Sequence, residues 1–132
     1  MSALKVLVVE DDAMIGLLLA EMLGDMGYDV CAVATTEEDA VAEAARSKPG
    51  LMIVDEQLLE GSGLSAVDRI LRTRVVPCVF TSGAPMHRKR PGVTTLRKPF
   101  LEADLIRAIQ HVVGVVEAPL PPSSVPELVV RG

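Results

Sequence analysis

Short apolar runs alternate with helical periods along the chain. Leu4-Lys5-Val6-Leu7-Val8-Val9 is mostly apolar and stops abruptly at Glu10-Asp11-Asp12, the pattern of a strand buried on both faces of a parallel sheet. Ile15, Leu18, Leu19, Met22, Leu23 and Met26 then recur at helical intervals and predict one buried helix face, with Gly27 as its stop. A second strand is predicted at Val30-Cys31-Ala32-Val33. Thr35 and Glu38 stand three apart, a capping-box pattern opening an Ala-rich helix that runs to about Ser47. Glu37, Glu38 and Asp39 occupy its first turn, where the helix dipole favours acids. Leu51-Met52-Ile53-Val54 is a third strand ending at another acid, Asp55. After Gly61-Ser62-Gly63, a helix carries Leu64, Val67, Ile70 and Leu71, and Val75 to Phe80 reads as a fourth strand entering Thr81-Ser82-Gly83.

From Ala84 to Gly92 the pattern fails. Pro85, Pro91 and Gly92 bracket His87-Arg88-Lys89-Arg90 and leave room for one helical turn at most. Val93 to Leu96 predicts a short fifth strand, followed by Lys98-Pro99-Phe100, whose X-Pro bond is a candidate cis peptide. The last helix carries Leu101, Leu105, Ile109, Val112, Val113 and Val116. Pro119, Pro121, Pro122 and Pro126 then exclude helix or central strand. The reading is one domain over residues 1–117 with a Pro-rich tail over 118–132. Strands alternating with helices imply right-handed crossovers and a parallel sheet covered on both faces. In the tail, Leu128-Val129-Val130 are candidates to extend a sheet edge, this chain's own or that of a second copy in a homodimer.

Composition narrows the function classes. The 132 residues are 49% hydrophobic with a mean hydropathy of +0.37, enough for a packed core. No apolar run approaches the roughly 18 residues of a membrane span, and no basic-then-apolar leader is seen. Cys31 and Cys78 can form neither a disulfide framework nor a four-ligand zinc site, and both lie in apolar runs. Buried thiols in a reducing cytoplasm are the expectation. A net charge of −5, 2% aromatic residues and no tryptophan argue against nucleic-acid binding. The charge is unevenly spread: residues 1–60 hold 13 acids and 3 bases, residues 61–132 hold 5 acids and 10 bases.

In open parallel sheets, ligands bind beyond the carboxyl ends of the strands. That rule selects Glu10, Asp11, Asp12, Asp55, Ser82 and Lys98. Carboxylates brought together from two strand ends repel and raise one another's pKa, and a hard divalent cation such as Mg²⁺ resolves the conflict. Asp12 is expected to cap the first helix instead. Asp55 could then act as a nucleophile toward phosphorus. Ser82 can donate one hydrogen bond, and Lys98 can pair with Asp55 at rest or with a phosphoryl oxygen afterwards. Acid, hydroxyl and ammonium make a phosphoaspartate site. His87 and His111 are expected to be solvated or packed, because neither has a second ligand at metal spacing. Gly61-Ser62-Gly63 is a turn into a helix and not a dinucleotide fingerprint.

The order Glu10-Asp11, Asp55, Ser82, Lys98-Pro99-Phe100 resembles the receiver domain of two-component response regulators over about residues 4–116. The resemblance implies a flavodoxin-like doubly wound α/β fold, a five-stranded parallel sheet of order 2-1-3-4-5. It implies phosphorylation of Asp55 by a sensor histidine kinase or phosphotransfer protein. It further implies Mg²⁺ ligation by Asp11, Asp55 and the Gln57 carbonyl, with Glu10 helping through water, and phosphoryl binding by Ser82 and Lys98. Gly63 matches the family's glycine eight residues after the acceptor, Pro99 follows the lysine, and Ser82 and Thr95 occupy the switch positions.

Several positions depart from the family. Leu59 stands where proline is frequent, and Thr95 where Tyr or Phe is usual. The stretch from Ser82 to Lys98 is short, so the fourth helix is expected to be shortened or absent. Phe80-Thr81-Ser82-Gly83-Ala84 is similar to the receiver subset nicknamed FAT GUY, with Pro85 replacing its final tyrosine. Ordering of residues 83–95 is then the expected relay. The functional expectation is a stand-alone phosphoacceptor acting on a downstream protein partner. The alternatives are a pseudo-receiver that binds without phosphorylation and an aspartyl-phosphate phosphohydrolase of the haloacid dehalogenase type. The latter needs an acid two residues after its nucleophile, where this chain has Gln57.

Overall fold

A computed structural model describes residues 3–83 and 92–117. The elements run β1 (Lys5–Val9), α1 (Ala13–Asp25), β2 (Asp29–Ala34), α2 (Glu37–Ser47), β3 (Leu51–Asp55), α3 (Gly63–Leu71), β4 (Cys78–Ser82), β5 (Val93–Arg97) and α4 (Glu102–Glu117). All five strands are parallel, in the order β2-β1-β3-β4-β5. The segment between β4 and β5, where the fourth helix is expected to be shortened or absent, the His87 to Arg90 basic run within it, and the Pro-rich tail lie outside the described residues.

Strand side chains alternate between faces, and the core divides accordingly. Leu7, Val9, Met52, Val54, Cys78 and Phe80 pack beneath Ala40 and Ala44 of α2 and Ala66, Val67 and Ile70 of α3. Their neighbours Val6, Val8, Leu51, Ile53 and Val79 pack under Leu19 and Leu23 of α1 and Leu105, Ile109 and Val112 of α4. The continuous apolar runs are therefore two interleaved half-cores.

Some local expectations are corrected. In α1 the buried positions are Gly16, Leu19 and Leu23, whereas Ile15 and Leu18 are exposed. The cause is Gly16: a β-carbon there would stand 2.9 Å from Val33 Cγ1, so the helix approaches the sheet along its glycine. The cap of α2 is Thr36, not Thr35; its side chain accepts the Asp39 N–H at 3.1 Å. Strand β4 begins at Cys78, and Val75 is exposed; Pro77, which has no N–H to give a ladder, precedes the strand. Leu101 lies outside α4 and is exposed, with its N–H donating to the Asp104 carboxylate at 2.9 Å. Cys78 is buried as expected, but Cys31 is only half-buried. Asp12 caps α1 by accepting the N–H groups of Met14 and Ile15. Gly27 follows α1 with a left-handed φ of 95°.

Candidate functional site

The register of the sheet gathers the selected strand ends. Val9 pairs with Val54, and Asp55 with Thr81, so the residues after β1 and at the ends of β3 and β4 share one rim. Beyond β5, the Lys98 N–H donates to the Ser82 carbonyl at 2.8 Å. The Lys98-Pro99 peptide is cis.

At this rim, one carboxylate oxygen from each of Glu10, Asp11 and Asp55 lies within 4.8 Å of the other two. Glu10 is 1% exposed and Asp55 9%. The Lys98 ammonium reaches both, at 3.0 Å from Asp55 Oδ2 and 3.4 Å from Glu10 Oε1. Burial pushes the Glu10 carboxyl up to about 7, and the Asp55 charge adds to this, against the Asp12 N–H that favours the anion. Burial works against the Lys98 ammonium, but the hydrogen bond to Asp55 and the charges of Glu10 and Asp55 outweigh it and hold Lys98 above its ordinary value. One ammonium therefore does not satisfy the cluster. An all-oxygen donor set with surplus negative charge suits a hard divalent cation, so Glu10, Asp11 and Asp55 fit Mg²⁺.

The β3–α3 loop is fastened to this cluster from two sides. Asp55 Oδ1 accepts the Gln57 N–H at 3.1 Å, and Asp11 Oδ2 accepts the Leu59 N–H at 2.8 Å. On the far side, Glu37 of α2 accepts the Ser62 N–H at 3.0 Å, the Ser65 hydroxyl at 2.7 Å and Arg69 Nη1 at 3.0 Å. These donors, Ser65 foremost, hold the Glu37 carboxyl below its usual range, and Arg69 does the same for Glu38. The loop tip fits against this clamp because Gly61, with a φ of +88°, has no β-carbon; one there would meet Glu37 Cβ at 2.4 Å.

Gly63 shows why the loop needs glycine at its exit. A β-carbon there would lie 1.9 Å from the Asp55 carbonyl oxygen. Helix α3 thus starts directly against the backbone of β3.

Glu10, Asp11, Asp55 and Lys98 are brought together as expected. Gln57 adjoins Asp55 through its N–H. The Ser82 hydroxyl donates to Glu56 Oε1 at 3.3 Å. Thr95 pairs with Phe80 one strand away, two residues short of the rim. Sequence reasoning missed Glu56 and the Glu37–Arg69 clamp. The signal for Glu56 was its place directly after Asp55, at the mouth of the same strand.

The chain is similar to known proteins. The phyllosphere-induced regulator PhyR of Methylorubrum extorquens is 36% identical over 115 residues, covering 83% of this chain and 43% of PhyR. The transcriptional regulatory protein PdtaR of Mycobacterium tuberculosis is 36% identical over 116 residues, covering 83% of this chain and 57% of PdtaR. The chain thus spans about half the length of these curated relatives. The solution structure of the Erythrobacter litoralis PhyR response regulator REC domain matches with a TM-score of 0.80 at 28% identity, covering 92% of this chain and 98% of that one. Residues 6–110 match the family described as the response regulator receiver domain. With the acidic triad, the paired lysine and the 2-1-3-4-5 sheet in place, the chain belongs to the response regulator receiver family of two-component signalling.

Proposed function

We propose that the chain accepts a phosphoryl group on Asp55 from a sensor histidine kinase or phosphotransfer protein and signals through contact with a protein partner. The observation that carries this is the Asp55 carboxylate, set within 4.8 Å of two other acids and 3.0 Å from Lys98. An Asp55 oxygen attacks phosphorus, the P–N bond of the donor phosphohistidine breaks, and its electron pair leaves with the imidazole nitrogen. Lys98 then pairs with a phosphoryl oxygen, and the Ser82 hydroxyl donates to another. Asp11, Asp55 and the Gln57 carbonyl would hold Mg²⁺, with Glu10 helping through water, and the ion would supply the positive charge that lets two anions meet. On this reading residues 1–117 are the phosphoacceptor unit and 118–132 a tail to it. Gly63 and Pro99 are structural supports, and Ser82 and Thr95 carry the response.

Three exposed apolar side chains stand close in sequence to the pocket residues. Met14, Leu59 and Leu101 are 70, 89 and 72% exposed, and each lies within four residues of a pocket acid or of Lys98. They suit a partner's apolar surface seated over the acids. The Bartonella quintana PhyR forms a complex with the anti-sigma factor NepR, and a protein is likewise the downstream partner proposed here.

Incubation with acetyl phosphate and Mg²⁺, read by intact mass, tests the acceptor. One phosphoryl adduct on the wild type and none on Asp55→Asn is the expected result. An adduct that persists in Asp55→Asn overturns the reading. The pseudo-receiver reading is favoured by one observation, the Ser82 hydroxyl turned toward Glu56, and complete absence of adduct would select it.

A further inference from the structure

Asp55 is followed by a second acid whose backbone is held on both sides. The Glu56 N–H donates to the Thr81 carbonyl at 2.9 Å, and the Glu56 carbonyl accepts the Gly63 N–H at 3.0 Å. Its side chain therefore projects from a fixed point, and Oε1 accepts the hydroxyl of Ser82, a residue only 3% exposed, at 3.3 Å. A serine hydroxyl carries one proton. It cannot serve Glu56 and a phosphoryl oxygen at once.

We propose that Glu56 is a latch on Ser82: it holds the hydroxyl in the resting state and opposes its transfer to a phosphoryl group on Asp55. This rests on the phosphoacceptor reading above. Two effects act in the same direction. When Ser82 turns to the phosphoryl oxygens, the Glu56 carboxylate loses a donor at a half-buried position. The same carboxylate stays one hydroxyl away from a group carrying additional negative charge, beside a cluster whose ammonium, Lys98, is already shared by Glu10 and Asp55. Glu56 is thus a positioning residue that sets how fully the phosphorylated arrangement is populated, without touching Glu10, Asp11 or Asp55 through its own hydrogen bond.

The test uses beryllofluoride with Mg²⁺ as the probe of the phosphorylated arrangement, titrated by fluorine NMR on the full chain. Glu56→Ala removes charge and acceptor together and is expected to bind about tenfold tighter than wild type. Glu56→Gln removes the charge but still accepts the hydroxyl, and is expected to fall between them. In a Ser82→Ala background the difference between Glu56→Ala and Glu56→Gln should vanish, because no hydroxyl is left to hold. In the metal-free protein, the Ser82 Cβ resonance should shift in Glu56→Ala and stay in place in Asp11→Asn. Equal affinity of wild type and Glu56→Ala overturns the latch, as does a Glu56→Ala to Glu56→Gln difference that survives Ser82→Ala. Binding by Glu56→Ala alone, with none by wild type, supports a latch strong enough to keep the site closed. If neither binds and acetyl phosphate also leaves no adduct, the phosphoacceptor reading falls, and the latch with it.

Discussion

Replacing Gly63 with alanine adds a single carbon at a position with no room for it. The new Cβ would stand 1.9 Å from the Asp55 carbonyl oxygen and 2.9 Å from both the Asp55 carbonyl carbon and Val54 Cγ1. Restoring an ordinary contact of 3.4 Å takes about 1.5 Å of movement. Neither backbone is free to yield. Gly63 N–H is bonded to Glu56, Glu56 N–H to Thr81, and the Ser62 side chain caps α3 at Ser65. Overpacking of this kind costs about 1–3 kcal/mol, and loss of one backbone hydrogen bond adds about 1 kcal/mol. The helix-propensity gain of alanine returns less than about 1 kcal/mol. The net expectation is a loss of about 2–3 kcal/mol. In urea, with a slope of about 1–1.5 kcal/mol per molar for a domain of this size, the midpoint should fall by about 2 M. Because the movement displaces Asp55 itself, Mg²⁺ affinity should fall as well, measured under conditions where the variant is folded. Gly24→Ala is the control of opposite sign. Nothing lies within 4 Å of a β-carbon there, so helix propensity alone should leave that variant equal to wild type or up to about 1 kcal/mol more stable. If Gly63→Ala unfolds within about 0.5 kcal/mol of wild type, the close approach of α3 to β3 is not a constraint, and the reasoning fails.

Four further outcomes follow from the site. In EDTA, Glu10 binds its proton more tightly in the folded state than its ordinary value of 4.5 allows, up to about 7; its contribution to stability is complete below 4.5 and is lost as pH rises through 7. Urea midpoints should therefore decline over that window and flatten in Glu10→Gln. For Glu37, whose carboxyl is held low, the sign reverses: stability present above 4.5 is lost as pH falls below it, and Glu37→Gln should remove that acid limb of the same urea series. Lys98→Ala removes a cation from beside Asp55 and Glu10, so titration calorimetry should show Mg²⁺ binding severalfold tighter while the acetyl phosphate adduct diminishes; weaker Mg²⁺ binding would contradict the charge argument. Leu59→Asp should slow transfer from a phosphodonor protein by about tenfold while leaving acetyl phosphate labelling unchanged, since its side chain is 89% exposed on the rim.

The parts of the site legible in the sequence were those tied to strand ends. Abrupt stops at Glu10 and Asp55 mark where a buried strand meets solvent, and parallel topology makes such stops converge. Asp12 was legible as a cap because capping is local. What misled was phase. Thr35 and Thr36 are adjacent, both have an acid three residues on, and only the entry angle of the chain decides which hydroxyl meets the Asp39 N–H. The buried face of α1 was misjudged for a tertiary reason, since Gly16 contributes no hydrophobic signal yet marks a close approach to Val33 of β2. Glu56 was legible as an acid at the mouth of β3, but its pairing was not, because its partner Ser82 lies on another strand.

The clamp at Glu37 determines where the domain can give way. Its carboxylate anchors the far end of the β3–α3 loop at Ser62, Ser65 and Arg69, and Asp11 anchors the near end at Leu59. A span pinned at both piers transmits a push rather than absorbing it. A phosphoryl group placed on Asp55, as proposed, would meet a stiff flank toward α2 and α3, and on the other flank it would meet the 3.3 Å hydrogen bond from Ser82 to Glu56. The loop after β3 is thus braced by side chains of both α2 and the β1 end, while Ser82 on β4 is bonded to the acid next to Asp55.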